Sequence, residues 1–302
     1  MANITASMIK DLREATSAGM LDCKKALNEC DGDMEKAVVW LRERGIAKAV
    51  KKASAVAAEG LCSFEVKGNK AVLFELNSQT DFVAQNAKLN DLLKKIGEIL
   101  VNSNATNDAE ALQVVSEGKT LETIILEASG VIGEKLSLRR VTVLEKADDE
   151  VFGAYKHMGG KIAVVVRVKG NDAQVAKDVA MHVAALNPRF VSKNDIPADV
   201  IESEREIILT TALNENKDSD KPKPEEVIRT RIVPGRLEKN LKEICLLSQQ
   251  FVKNPDLTVE QYLQSGKCAI VNFARLEVGE GIEKVEQDFA AEVAAQSAAF
   301  NK

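Results

Sequence analysis

Few residues of this chain have the chemistry for covalent or acid–base work. There are two histidines, His157 and His182, and five cysteines, Cys23, Cys30, Cys62, Cys245 and Cys268. A general base needs a nucleophile or a carboxylate pattern beside it, and neither histidine has one in the sequence. Both read as structural residues. No CxxC occurs, the cysteine count is odd, and no histidine lies near a cysteine in sequence. A zinc site or disulfide framework is therefore not expected, and reduced, buried thiols in a cytosolic protein are the simplest account. The Gly279-Glu280-Gly281 run lacks the GK[ST] that completes a phosphate loop. Lys24 and Lys25 read as a solvated helix face. The expectation is a protein that is not an enzyme, with no cofactor and no metal of its own.

The stretch NSQTDFVAQN, residues 77–86, offers a different chemistry. A polar loop ends there and a helix begins, with Thr80 as a plausible N-cap and Asp81 favouring the helix dipole. Phe82 and Val83 sit in that first turn beside the charge. Two readings stand open on spacing alone. Phe82 can tuck into the core as a hydrophobic staple. Alternatively it projects as a wedge, with Asp81 delivered beside it, since a large exposed apolar group on a rigid helix start makes an interface anchor.

The chain has 302 residues, which suggests two compact units, with room for small extra modules. A 45% hydrophobic share supports a sizeable core, and a 4% aromatic share makes that core mostly Ala, Val, Leu and Ile. The formal net charge of −5 lacks the basic excess of a nucleic-acid binder. No apolar run approaches membrane-spanning length. The first residues lack the apolar stretch of a signal peptide, so a cytoplasmic location is expected.

The elements that carry these residues follow from periodicity. Thr5 can cap a first helix with Met8, Ile9 and Leu12 on one face. Met20, Cys23, Ala26 and Leu27 are at helical spacing in a second. Asp33 can cap a third, where Ala37, Val38 and Leu41 are expected to face inward and Gly45 to end the helix. A Lys- and Ala-rich, partly helical linker follows. Then a β-β-α-β pattern occurs twice. The first copy is a hairpin turning at Gly68-Asn69, a helix from about 81 to 100, further helix, and the strand LRRVTVLE. The second is a hairpin turning near Gly159-Gly160, the helix DAQVAKDVAMHVAALNP, and a distant strand, AIVNFARLEVG. Such duplication suggests two similar α+β subdomains.

An insertion separates the last two elements, from about 187 to 264. Pro197 opens one helix and Pro224 another, with a polar tip between. Ile201, Ile208 and Ala212 share a face of the outgoing helix, with Val200 and Ile207 beside it. Val227, Ile228 and Ile232 are apolar on the return, so an antiparallel helical hairpin is expected, kinked at Pro234. A final amphipathic helix carries Val285, Phe289 and Val293 at four-residue spacing behind a Gly-rich joint.

Several long motifs in order, ITAS, GMLDCKKAL, QTDFVAQN, AMHVAALNP and EVGEGIEKVEQDFAAEVAA, together with Gly235-Arg236, span essentially the whole chain. On these residues the sequence resembles the bacterial elongation factor Ts family, guanine nucleotide exchange factors of elongation factor Tu. The resemblance implies a fold of class α+β: a three-helix bundle similar to ubiquitin-associated (UBA-like) domains with its linker at 1–54, core subdomains at 55–147 and at 148–187 with 265–278, the inserted hairpin and return segment at 188–264, and a C-terminal helical module at 279–302. It implies elongation factor Tu as partner, with no direct nucleic acid and no membrane. Met20, Leu21 and Lys24 become contacts of the bundle. Thr80, Asp81, Phe82 and Val83 become the element that dislodges magnesium from the partner and promotes GDP release. Val285, Phe289 and Val293 become contacts of the C-terminal helix. The hairpin resembles the family's coiled-coil protrusion and leaves homodimerisation through it open. The competing class is an adaptor built on the small bundle alone, which leaves the duplicated core and the wedge unexplained. Turnover without any partner would mark an enzyme instead.

Overall fold

Capping and spacing build the first three helices as the sequence predicts. In the computed structural model, which describes residues 4–16, 18–52, 55–219 and 221–283, these are α1 (Ala6–Thr16), α2 (Met20–Glu29) and α3 (Met34–Lys51). The Thr5 hydroxyl accepts from the Met8 N–H at 3.3 Å, and Asp33 accepts from the Lys36 N–H at 3.0 Å. The core they enclose is small: Leu12, Cys23, Ala26, Leu27 and Ala37. Each fully buried leucine contributes about 1.5–3 kcal/mol, so two of them hold little on their own. Two expectations fail here. Val38 is exposed, and Gly45 does not end α3, which runs on to Lys51.

The chain continues through β1 (Glu59–Lys67) and β2 (Lys70–Ser78), joined by Gly68-Asn69 with Gly68 at φ +57°. Next come α4 (Asp81–Ala84), α5 (Ala87–Val101) and α6 (Asp108–Gln113). A two-residue ladder, β3 (Val115–Ser116) with β4 (Lys119–Thr120), leads into α7 (Leu121–Ile132) and β5 (Ser137–Glu145). The strand order is β1-β2-β5. Its central strand, β2, is buried from Ala71 to Ser78, as a strand covered on both faces must be. Val114 and its neighbours interrupt what the sequence suggests as uniform helix.

Downstream lie β6 (Glu150–His157), β7 (Ile162–Lys169) and α8 (Ala173–Leu186). β6 and β7 pair antiparallel from Glu150 opposite Lys169 to His157 opposite Ile162. Gly153 lets α8 approach the sheet, since a methyl there would lie 2.1 Å from the Ala176 backbone. The hairpin helix α9 (Ala198–Lys217) returns through α10 (Glu225–Val227), one π turn over Ile228–Ile232, and α11 (Val233–Ile244). Ile208, Ala212, Ile228, Val233 and Leu237 form the buried seam, whereas Ile207 points to solvent. Pro234 is the second residue of α11, with Val233 between it and the π turn. Proline has no N–H and crowds the carbonyl four residues back, and the wider turn relieves both demands. At the tip, Asn216 accepts from the Lys223 N–H at 2.7 Å and donates to its carbonyl at 2.9 Å.

The remaining elements are β8 (Gln250–Phe251), β9 (Asn254–Thr258), α12 (Val259–Ser265) and β10 (Ala269–Glu277), the last giving a sheet of order β10-β7-β6. Val164, Val166, Val168, Val179, Val183, Phe251 and Leu263 belong to one core, with Phe251 stacked on Tyr262 at 4.0 Å. The protein is thus of mixed α+β class. By contacts it divides into two compact units, one of Met1–Ser63, Phe74–Val141 and Glu277–Lys302, the other of Phe64–Leu73 and Thr142–Leu276.

Candidate functional site

Within the first unit, β2 delivers the chain to the Thr80–Phe82 turn. The Ser78 hydroxyl donates to the Thr80 carbonyl at 2.9 Å, and α4 then makes a single turn. Val83 and Ala84 are each 7% exposed and anchor it. Asp81 is exposed, and Phe82 is 80% exposed. The staple alternative is thereby closed, because the ring lies outside this chain's own core.

Two local expectations need correction. The helix predicted from about 81 to 100 is broken after Ala84, because Asn86 turns its side chain onto the Lys88 N–H at 3.0 Å and starts α5 afresh. Thr80 occupies the N-cap position, but its hydroxyl does not cap α4. It donates instead to Glu134 Oε1 at 2.6 Å, while the Thr80 and Gln79 N–H groups donate to Glu134 Oε2 at 2.9 and 3.1 Å. Of the four residues singled out in this stretch, Thr80 and Val83 hold the turn and Asp81 and Phe82 face outward.

The bundle residues lie on the outer face of α2. Leu21 is 83% exposed, Met20 59% exposed, and Lys24 is exposed beside them. Cys23, Ala26 and Leu27 take the inner face, so Met20 does not join them there as its spacing suggests. Gly19, just before Met20, and Lys88, at the start of α5, line one depression of about 570 Å³. None of Met20, Leu21, Lys24, Asp81 and Phe82 lines that depression. Val285, Phe289 and Val293 lie outside the described residues.

The chain leading toward them leaves through the Gly279-Glu280-Gly281 joint. Gly279 has φ +77°, and a methyl there would lie 2.4 Å from the Ala58 carbonyl oxygen. Its N–H donates to the buried carboxylate of Glu75 at 2.7 Å. Arg140 Nε donates to the same carboxylate at 2.8 Å, and its Nη1 reaches Glu280 at 2.7 Å. Asn77 completes the set at 2.7 Å. A buried charge needs such pairing and hydrogen bonding to be tolerated. Glu75, Arg140 and Glu134 escaped the sequence reasoning. A lone acid inside the apolar run AVLFELNS was a usable signal for Glu75, whereas nothing local marks Glu134.

The histidines sit in the second unit. His182 is buried, its Nδ1 accepting from the Val252 N–H at 3.2 Å and its Nε2 meeting Gln249 Oε1 at 2.8 Å. That pairing requires a neutral ring carrying its proton on Nε2. Burial pushes its pKa below the ordinary 6.5, against a smaller opposing effect of the Gln249 hydrogen bond. His157 lies at the end of β6, 3.2 Å from the Tyr155 hydroxyl. Among the described residues no group of three or more His, Cys, Asp or Glu is placed to hold a metal ion, and no helix is long and apolar enough to cross a membrane.

Comparison with known proteins gives two concordant findings. The family model described as Elongation factor TS matches residues 79–280. Elongation factor Ts of Acholeplasma laidlawii (strain PG-8A) is 52% identical over 294 residues, covering 97% of this chain and 98% of the relative.

Proposed function

From the premise that this chain belongs to the elongation factor Ts family of translation elongation factors, we propose that it binds elongation factor Tu carrying GDP and accelerates GDP release by driving Phe82 and Asp81 into the partner's magnesium site. The observation that carries this proposal is the 80% exposure of an aromatic ring on a turn whose neighbours, Val83 and Ala84, are buried.

The physics requires no bond-making chemistry. Nucleotide grip in such a partner depends on backbone donors around the phosphates and on magnesium neutralising their charge. A benzyl group inserted between partner helices displaces the groups that hold the metal. A carboxylate beside it competes for the hydrogen bonds of the metal's outer shell, and such changes are costly to metal affinity. By linkage, nucleotide weakens binding of the factor by the same ratio in which the factor weakens nucleotide. Thr80 and Val83 act in this scheme as supports of the turn, not as contacts.

Met20, Leu21 and Lys24 supply a second contact, and Val285, Phe289 and Val293 a third. In finer detail, the bundle is a UBA-like domain and the core is a duplicated pair of subdomains. The equal strand succession, with the second hairpin strand central in β1-β2-β5 and in β10-β7-β6, supports the duplication. The setting is the cytoplasm. Release of fluorescent GDP from elongation factor Tu, with and without this protein, tests the function: acceleration is expected, and an unchanged release rate refutes it.

A further inference from the structure

We propose that Glu134 is the positioning residue of the exchange element: its carboxylate holds the backbone from which Asp81 and Phe82 project. This rests on the assignment of Phe82 as the partner-facing group.

The carboxylate accepts three hydrogen bonds, from the Gln79 N–H, the Thr80 N–H and the Thr80 hydroxyl, at 3.1, 2.9 and 2.6 Å. A fourth bond runs alongside, from the Lys135 N–H to Gln79 Oε1 at 3.1 Å. Hydrogen bonds to an ionised acceptor are about twice as strong as neutral ones. Helix formation gives no reason for an acid at this place. Glu134 lies just past the C-terminus of α7, where the helix dipole disfavours negative charge. The donors of residues 79 and 80 supply the compensation. The Thr80 hydroxyl makes no cap bond to α4 and is turned toward Glu134, so its side chain supports the tertiary contact and not the local helix.

Glu134 is itself well held. α7 ends at Gly133 in the left-handed conformation, φ +87°, which turns the chain toward residue 79. The Lys135 ammonium donates to the Ala55 carbonyl at 3.0 Å, and the Lys52 ammonium donates to the Gly133 carbonyl. Both of those partners come from the segment at the end of α3. Residues 133–135 are thus gripped by the chain leaving the bundle on one side and grip the base of the exchange turn on the other. Misplacement of a reacting or displacing group by about 1 Å is enough to cost large factors in rate.

The test uses the full-length protein and fluorescent-GDP release from elongation factor Tu over a range of factor concentrations. For Glu134→Gln and Thr80→Val we expect the maximal release rate to fall on the order of tenfold, with the half-saturating concentration little changed. The double variant should be no slower than either single one, because both remove one interaction. Hydrogen exchange at the Gln79 and Thr80 amides should quicken in Glu134→Gln, and Glu134→Asp should restore part of the rate. Wild-type maximal rates for Glu134→Gln, under conditions where Phe82→Ala is slow, overturn the positioning role and leave the Phe82 assignment standing. A wild-type protein that does not accelerate release overturns both. If Glu134→Gln does not fold, Thr80→Val decides alone, and a normal rate for it overturns the proposal.

Discussion

Gly45 of α3 and Gly130 of α7 meet backbone to backbone. A methyl on Gly130 would lie 2.6 Å from the Gly45 carbonyl carbon, and one on Gly45 would lie 3.5 Å from the Gly130 Cα. The obstruction at Gly130 is backbone and cannot swing away, whereas a methyl on Gly45 would rest in ordinary contact. The close approach requires a glycine at Gly130, in a helix where that residue costs about 1 kcal/mol of propensity. The bundle has a small core, and its third helix recovers stability by lying directly on α7. Arg42 reinforces the seat through its ion pair with Glu127.

The first prediction follows from that contact. Gly130→Ala should lower stability by about 1–3 kcal/mol, the scale of overpacking in a close-packed site. Gly235→Ala is the control. Gly235 lies in α11 with nothing within 4 Å of an added methyl, so the substitution should stabilise by about 0.5–1 kcal/mol. Chemical denaturation of both variants checks the pair, and equal effects would remove the close approach as the cause.

Phe82→Ala should leave the fold intact, because the ring is 80% exposed and fills no cavity of this chain. Binding to elongation factor Tu should persist through the remaining contacts. The acceleration of GDP release should fall on the order of tenfold or more, a barrier change of about 1.4 kcal/mol or above. Stopped-flow release of fluorescent GDP measures this, and an unaltered rate would refute the wedge.

Lys24→Glu should weaken complex formation several-fold without affecting the bundle, since Lys24 is exposed on α2. A charge at an interface rim acts chiefly on association, so the effect should shrink as salt rises. Association kinetics at two ionic strengths test it. Undiminished affinity at low salt would exclude the outer face of α2 from the interface.

Stability should decline as pH falls below about 6.5. The folded chain holds His182 neutral, with Nδ1 accepting from Val252, and burial lowers its pKa from 6.5. The unfolded chain therefore takes up a proton first as pH drops. The His182 contribution is complete above 6.5 and is lost as pH falls through the lower folded value. Asp178 behaves in the same direction at more acidic pH. Its burial is outweighed by hydrogen bonds from Lys253, Tyr262 and Gln174, which hold its carboxyl below the ordinary 3.8. Urea midpoints between pH 7.5 and 5.5 should fall for the wild type. His182→Gln should be less stable at neutral pH and should lose that slope. A wild-type midpoint that is flat over this range would contradict the assignment.

Local chemistry alone determined much of this protein. Caps at Thr5 and Asp33, the Gly68-Asn69 turn, and the 3.6-residue apolar spacing of the hairpin act over a few residues, and they hold in the folded chain. The outlier at Phe82 was also legible, because a large apolar group in a polar helix start is an anomaly of neighbours. Tertiary structure alone decided which way that ring points. Burial depends on residues distant in sequence, and it is Val83, Ala84 and the Glu134 clamp that turn the ring outward. α3 likewise runs on past Gly45 to Lys51, lying there against Gly130 of α7, 85 residues away. Thr80 shows the same competition at a single atom. Sequence offered its hydroxyl oxygen as an acceptor for the first N–H groups of α4, but in the folded chain the hydroxyl is oriented to donate to a carboxylate 54 residues downstream, a charge-assisted bond.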